Sequence, residues 1–255
     1  DLREFLGDPE RLRWLFFTHV HFDHCGAGPY LKRRLPDIKL TASLTSVGIL
    51  SRPNAVELIR NLNKDFVNRN QSSLTRDFAS GKEEKAEDLR FDGLNLDRTL
   101  EDGEEVDLGG GWVLRAIATP GHTRDMMSYY FPGQRILFAS EAAGLRDSRG
   151  EIIPEFLSDY RQYTASLEKL LDLDAQWIFF AHREPVSGKE AREHLRKSLA
   201  ATRFMKERIE RYLEEAGGDE EAVVERIAGE DYQARYAAIQ AYRPFLMNLK
   251  AKVRA

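Results

Sequence analysis

The amino-acid sequence predicts an α/β fold with a C-terminal helical extension, and three observations carry that reading. Residues 14–18 (WLFFT) form a continuous apolar run of the kind a buried strand requires, and a helix-compatible stretch over 26–34 separates them from a second strand-like run at 38–42 (IKLTA). Strand, helix and strand in that order suggest a parallel βαβ unit. Three more β-type runs, 113–119, 128–131 and 136–139, occupy mid-chain, and from Lys189 to the end nearly every residue is compatible with helix.

Taken in order, residues 1–11 read as a short polar helix or turn, followed by the 14–18 strand, buried on both faces. Pro36 ends the helix over 26–34. Over 54–70, Val56, Leu58, Ile59, Leu62, Phe66 and Val67 recur at helical spacing behind Pro53 and Asn54, which predicts an amphipathic helix. Residues 82–107 are heavily acidic and interrupted by Gly93 and Gly103, a solvated loop with short strands to which no chemistry is assigned. Pro120-Gly121 and Pro132-Gly133 punctuate the mid-chain strands, the second as a hairpin turn. Residues 159–171 are helical, 177–181 (WIFFA) are another buried strand, and Gly217-Gly218 and Pro244 break the terminal helices. The organisation expected is one domain over 1–188, with a helical insertion at about 45–75, and a helical cap over 189–255.

Composition narrows the function classes. Of 255 residues, 42% are hydrophobic and 31% charged, enough of the first for a sizeable core and of the second for a solvated surface, which excludes disorder and collagen-like repeats. With 38 basic and 42 acidic residues the net charge is −4, so no global basic field attracts phosphate backbones. The single Cys25 excludes an intrachain disulfide framework, and no apolar run approaches the roughly 18 to 20 residues that span a bilayer. A soluble, cytoplasmic protein is expected, with neither nucleic acid nor membrane as partner.

Three of the six histidines fall within six residues, in the segment Thr18-His19-Val20-His21-Phe22-Asp23-His24. Three imidazoles and a carboxylate on a strand-to-helix turn cannot all face a core, because each would need a hydrogen-bond partner in the same small volume. Metal ligation resolves the conflict. Imidazole nitrogen and carboxylate oxygen suit zinc, iron or manganese, and the turn can direct His19 and His21 to one ion while Asp23 and His24 reach a second. A lone histidine is more often structural than ligating. Beside this cluster, however, His122 (in Thr119-Pro120-Gly121-His122-Thr123) and His182 (in Ala181-His182-Arg183) become candidate ligands, since both sit at strand C-termini, where open α/β sheets place their ligand sites. His194, on a charged helix, is read as a surface residue, and Cys25 as a small apolar residue packed under the turn.

With H-x-H-x-D-H, a T-P-G-H-T turn, an acidic residue after a strand and a last histidine after another strand, all in order, the chain resembles the metallo-β-lactamase superfamily. That resemblance implies an αββα sandwich with its site at one edge between two sheets. It assigns His19, His21 and His122 to a first divalent metal and Asp23, His24 and His182 to a second. It also implies several strands ahead of the first motif, more than 18 residues can supply, so an N-terminal segment is expected to be missing. Where the family usually has Gly-Asp, this chain has Ser140-Glu141. Glu141 is expected to bridge the two cations; the alternative is a carboxylate turned away, with one weakly held metal or an inactive centre. Residues 19–43, the helix around 54–63 and the terminal helices are further similar to the quinolone-signal response thioesterases, which cleave a small acyl-coenzyme A thioester and carry C-terminal helices over the active-site entrance.

The implied function is metal-dependent hydrolysis of a thioester or related acyl ester. Two divalent ions, zinc or iron, with manganese also suited, would acidify a water, and Asp23 would orient it and carry its proton. A small acyl substrate and a homodimer are the expected partners. Two other readings stand beside this one: a phosphodiesterase or nuclease on the same centre, disfavoured by the acidic balance, and a low-turnover metal-binding regulatory protein, suggested by Ser140-Glu141. Oxygen-reducing diiron members carry glutamate where this chain has His21. Tyr212, Phe204, Met205, Phe245, Leu246 and Met247 are candidate pocket-lining residues with core packing as the plainer role. Arg183 is a candidate contact for a substrate carboxylate or phosphate, with a surface ion pair as its plainer role.

Overall fold

A computed structural model describes residues 7–8, 11–70, 90–147, 149–182 and 184–255. Most of the expected N-terminal helix over 1–11, the end of the helical insertion, part of the acidic stretch and Arg183 lie outside the described residues. The chain divides into two compact units, Asp1–Glu101 and Asp102–Ala255.

In the first unit, β1 (Trp14–Phe16), β2 (Lys39–Ser43) and β3 (Arg98–Leu100) form a parallel sheet in that order. The βαβ expectation holds, with α1 (Phe22–Cys25) and α2 (Gly28–Arg34) as the crossover. β1 is not buried on both faces as expected; all three of its residues are half-buried. Among the described residues β1 pairs with β2 only. Trp14 stacks on Phe16 at 5.5 Å, and the ammonium of its register partner Lys39 lies 4.8 Å from the Trp14 ring. The buried face is built instead by Phe17, Val20, Cys25, Ile38, Leu40 and Ala42. α3 (Leu44–Leu50) opens the stretch where a helical insertion is expected and starts where the Ser43 hydroxyl accepts from the Ser46 N–H, a standard N-cap. α4 (Pro53–Arg69) is the expected amphipathic helix, with Pro at its first position. It contributes buried Ile59 to the core, while Leu58 and Phe66, expected on the apolar face, are exposed.

The second unit holds a six-stranded sheet, β11-β10-β7-β6-β5-β4, from β4 (Glu105–Asp107), β5 (Val113–Ala118), β6 (Met127–Phe131), β7 (Ile136–Phe138), β10 (Trp177–Phe179) and β11 (Val186–Ser187). A small ribbon, β8 (Leu145–Arg146) with β9 (Ile152–Ile153), lies between β7 and β10 in sequence. β6 and β7 are the antiparallel hairpin expected at Pro132-Gly133. β10 is shorter and less buried than expected: only Ile178 is fully buried, and Trp177 is 45% exposed. The alternation of a one-face-buried strand therefore applies, with Trp177 and Phe179 on the side opposite Ile178. α5 (Tyr160–Leu171) is capped by the Asp159 carboxylate, which accepts from the Gln162 N–H at 2.8 Å.

From Lys189 onward the described residues are helical: α6 (Lys189–Glu215), α7 (Glu220–Asp231), a π-helical turn (Tyr232–Tyr236) and α8 (Tyr242–Arg254). Gly217 and Gly218, both at positive φ, end α6 as expected. Pro244 does not break the helix; it lies in the first turn of α8, where its missing N–H has no intrahelical acceptor to lose. Met205, Ile209, Tyr212 and Phe245 join Leu137, Ile178, Tyr163 and Leu167 in one core, whereas Phe204 and Met247 are exposed. No helix among the described residues is long and apolar enough to cross a membrane.

Candidate metal centre

The first group of predicted ligands is built by the end of β1. Beyond Phe16, the Phe17 N–H still pairs with the Thr41 carbonyl, and the chain then turns at His21, whose extended backbone is the N-cap of α1. The N–H groups of His24 and Cys25 both donate to the His21 carbonyl, at 3.0 and 2.9 Å, so a single helical turn carries Asp23 and His24 back toward His19. The ring of buried His19 lies 4.6 Å from that of His21 and 4.1 Å from that of His24, and His24 Nε2 stands 3.7 Å from an Asp23 oxygen. The turn is tightly seated: a Cβ on Gly26 would fall 2.3 Å from the Phe22 carbonyl oxygen. Cys25, fully buried beneath it, packs as a small apolar residue.

Sheet register builds the second group. β7 and β10 are parallel with Phe138 opposite Phe179, and Glu141 and His182 each lie three residues beyond that pair. Equal overhang from a parallel pair sets their side chains next to one another, with His182 Nε2 3.1 Å from Glu141 Oε1. β5 and β7 are both antiparallel to β6, so the C-terminal end of β5, where His122 follows, shares the same sheet edge. Glu141 sits in a 3₁₀ turn (Ser140–Ala143) and is buried; the Ser140 hydroxyl donates to its Oε2 at 2.5 Å, and the Tyr163 hydroxyl donates to its carbonyl at 2.9 Å.

His122 is buried and its Nδ1 lies 2.8 Å from the carbonyl oxygen of Glu155. A carbonyl only accepts, so Nδ1 carries the proton and Nε2 is left with its lone pair, the arrangement that outer hydrogen bonds impose on metal-ligating histidines. Three backbone N–H groups, from Leu157, Ser158 and Asp159, converge on the Gly121 carbonyl and pin the loop beneath it. The Glu155 side chain is buried against the Lys252 ammonium at 3.4 Å; burial pushes its pKa up and Lys252 pulls it down, with the net direction upward. Burial likewise raises the Tyr163 phenol, which keeps it a hydrogen-bond donor.

Two groups of nitrogen and oxygen donors thus form, His19, His21, Asp23 and His24 in one unit, Glu141 and His182 with the prepared His122 in the other. By donor chemistry they suit divalent zinc, iron or manganese. The sequence did not reveal Tyr163, Glu155 or Lys252 as supports, and it misassigned His194. That histidine is buried, not at the surface: it shares the inward face of α6 with Ala191, Leu195 and Ser198, a periodicity that could have placed it.

Histidines and a carboxylate at the C-terminal edges of sheet strands, in a mixed α/β chain, define a metal-site class of fold. The Metallo-beta-lactamase superfamily model matches residues 2–182, and the chain belongs to that superfamily. It is 29% identical over 197 residues to a metallo-beta-lactamase fold-containing protein of Sulfurisphaera tokodaii, covering 75% of this chain and 68% of that one. It is 47% identical over 47 residues to a hydroxyacylglutathione hydrolase of Bartonella tribocorum, 18% of each chain. Among solved structures, a metallo-beta-lactamase family protein of Thermus thermophilus superposes with a TM-score of 0.53 at 18% identity, covering 80% of this chain and 64% of that one. The fold is therefore the α/β metallo-β-lactamase fold, here with C-terminal helices.

Proposed function

We propose that this protein is a metal-dependent hydrolase of thioesters or related acyl esters. In this reading His19, His21 and His122 would hold one divalent cation, Asp23, His24 and His182 would hold a second, and Glu141 would supply a further carboxylate ligand. The observation that carries it is the clustering of His21 and His24 around buried His19, with Asp23 beside them. The prepared tautomer of His122 supports it from the other group. Support for thioester chemistry comes from the relative named as a hydroxyacylglutathione hydrolase, whose named substrate is a glutathione thioester.

A pair of bound divalent cations supplies an acidified water near neutral pH and polarisation of a substrate carbonyl. The chain's own residues do the rest. Asp23, whose side chain is 38% exposed, is open to orient the attacking water through a carboxylate oxygen and to receive its proton there. The Glu155 carbonyl holds the His122 ring against rotation, so that ring orients without a reorganisation cost. A thiolate departs without a strong general acid, so the reaction does not demand one.

One observation favours a second reading, a metal-binding regulatory protein of low turnover. Both Glu141 carboxylate oxygens are already engaged within the chain, by Ser140 and by His182. A panel of acyl-coenzyme A, glutathione thioester, lactone and bis-aryl phosphate substrates, run on metal-quantified protein, separates the readings. Thioester turnover well above the others is expected. Phosphodiester turnover without thioester turnover would sink the proposal, and full metal occupancy with no turnover would favour the regulatory reading.

A further inference from the structure

The sixth histidine is part of the site's support. His194 faces inward from α6 at 3% exposure, and its Nε2–H donates to the Ala143 carbonyl at 2.9 Å. Its ring lies 4.4 Å from the ring of Phe180. Ala143 closes the 3₁₀ turn two residues after Glu141, and Phe180 precedes His182 by two residues. One side chain on a helix therefore touches both loops that carry the Glu141–His182 pair. The turn it grips is one that needs holding: Ser140 has φ 50°, a left-handed conformation that is costly without glycine, and a four-residue 3₁₀ segment has few internal hydrogen bonds to repay it.

We propose that His194 is a positioning residue, tying the turn after β7 and the loop after β10 to α6 and so setting the spacing between Glu141 and His182. The ring contributes in two ways: a donor aimed at a backbone carbonyl, and a flat face against Phe180. Phenylalanine at 194 keeps the second and loses the first. Glutamine keeps an N–H donor of similar reach. The inference rests on the metal-centre reading above, through the roles of Glu141 and His182.

The test measures zinc stoichiometry and affinity by chelator competition, and the visible spectrum of the cobalt-loaded protein, in wild type, His194→Phe and His194→Gln, with thermal unfolding alongside. Expected for His194→Phe is a cooperative fold, a roughly 10- to 100-fold loss of affinity at the weaker site and an altered cobalt spectrum, the scale seen when outer hydrogen bonds to ligands are removed. His194→Gln is expected within about threefold of wild type. A folded His194→Phe with wild-type affinity and spectrum, or His194→Gln as impaired as His194→Phe, overturns the positioning role alone. A wild type that binds no zinc or cobalt overturns the metal-centre reading and this inference with it. Should His194→Phe fail to fold, Phe180→Leu removes the other contact and is expected to weaken metal binding in the same direction; wild-type binding there overturns the proposal.

Discussion

Gly121 holds φ at 129°, and a Cβ built on it would stand 2.3 Å from both Cα and N of Tyr163. Those are backbone atoms, so no side-chain rotation relieves the clash. Gly121→Ala is expected to cost roughly 3 kcal/mol or more in urea unfolding and to release His122 from the Glu155 carbonyl. A variant within roughly 0.5 kcal/mol of wild type would refute this. At the same scale, burial lowers the His194 pKa to about 4 from an ordinary 6.5. Between these two values the unfolded chain binds a proton that the folded chain does not, so stability rises with pH across that window and is lost as pH falls through it. The span corresponds to roughly 3 kcal/mol. Unfolding free energies at pH 7 and pH 4.5 should therefore differ less in His194→Gln than in wild type; equal pH dependence would contradict the assignment. Glu141→Ala, which leaves His182 without its 3.1 Å partner, is expected to lose at least one equivalent of metal by elemental analysis.

At the scale of elements, α8 is anchored by one buried charge pair, Lys252 on its last turn with Glu155. Desolvating two ions costs several kcal/mol each, so the pair is not a large net source of stability, but half of it is worse than none. Lys252→Met is expected to destabilise by about 3–5 kcal/mol, and Glu155→Leu/Lys252→Met to recover most of that loss, both read by denaturant unfolding. A single variant as stable as wild type would show that the pair is solvated. Elements whose signal is local were legible. The 3.6-residue repeat over 54–70 found α4 and Pro132-Gly133 announced the hairpin, because periodicity and turn chemistry act within a few residues. Burial was less legible. β1 and β10 read as fully buried runs, yet whether a strand is an edge or shows one face to solvent depends on neighbours that come from elsewhere in the chain. Pro244 was misread for a related reason: its effect depends on its position within α8 and not on its presence.

For the whole molecule, the proposed centre draws ligands from residues 19–24 and from 122–182. Metal that binds the folded chain and not the unfolded one raises its stability. Chelation is expected to lower the melting temperature and readdition of zinc to raise it with concentration, the unfolding free energy gaining roughly 2.7 kcal/mol at a hundredfold excess over Kd. A melting temperature indifferent to chelator in protein shown to have lost its metal would contradict ligation by the folded chain.

The proposed ligands, Asp23 and the histidines of the 19–24 segment, His122, Glu141 and His182, are nominated by residue type and motif, because metal chemistry demands those atoms whatever surrounds them. The superfamily was legible for the same reason. The supports were not: the Glu155 carbonyl on His122, the Tyr163 hydroxyl on Glu141, and His194 behind both Glu141 and His182. Each meets its partner across 22 to 51 residues of sequence, and any hydroxyl, carbonyl or imidazole could have served. Such contacts leave no spacing rule, since they follow from how helices and strands pack. The donor set was written locally, and its preparation was decided only when the chain folded.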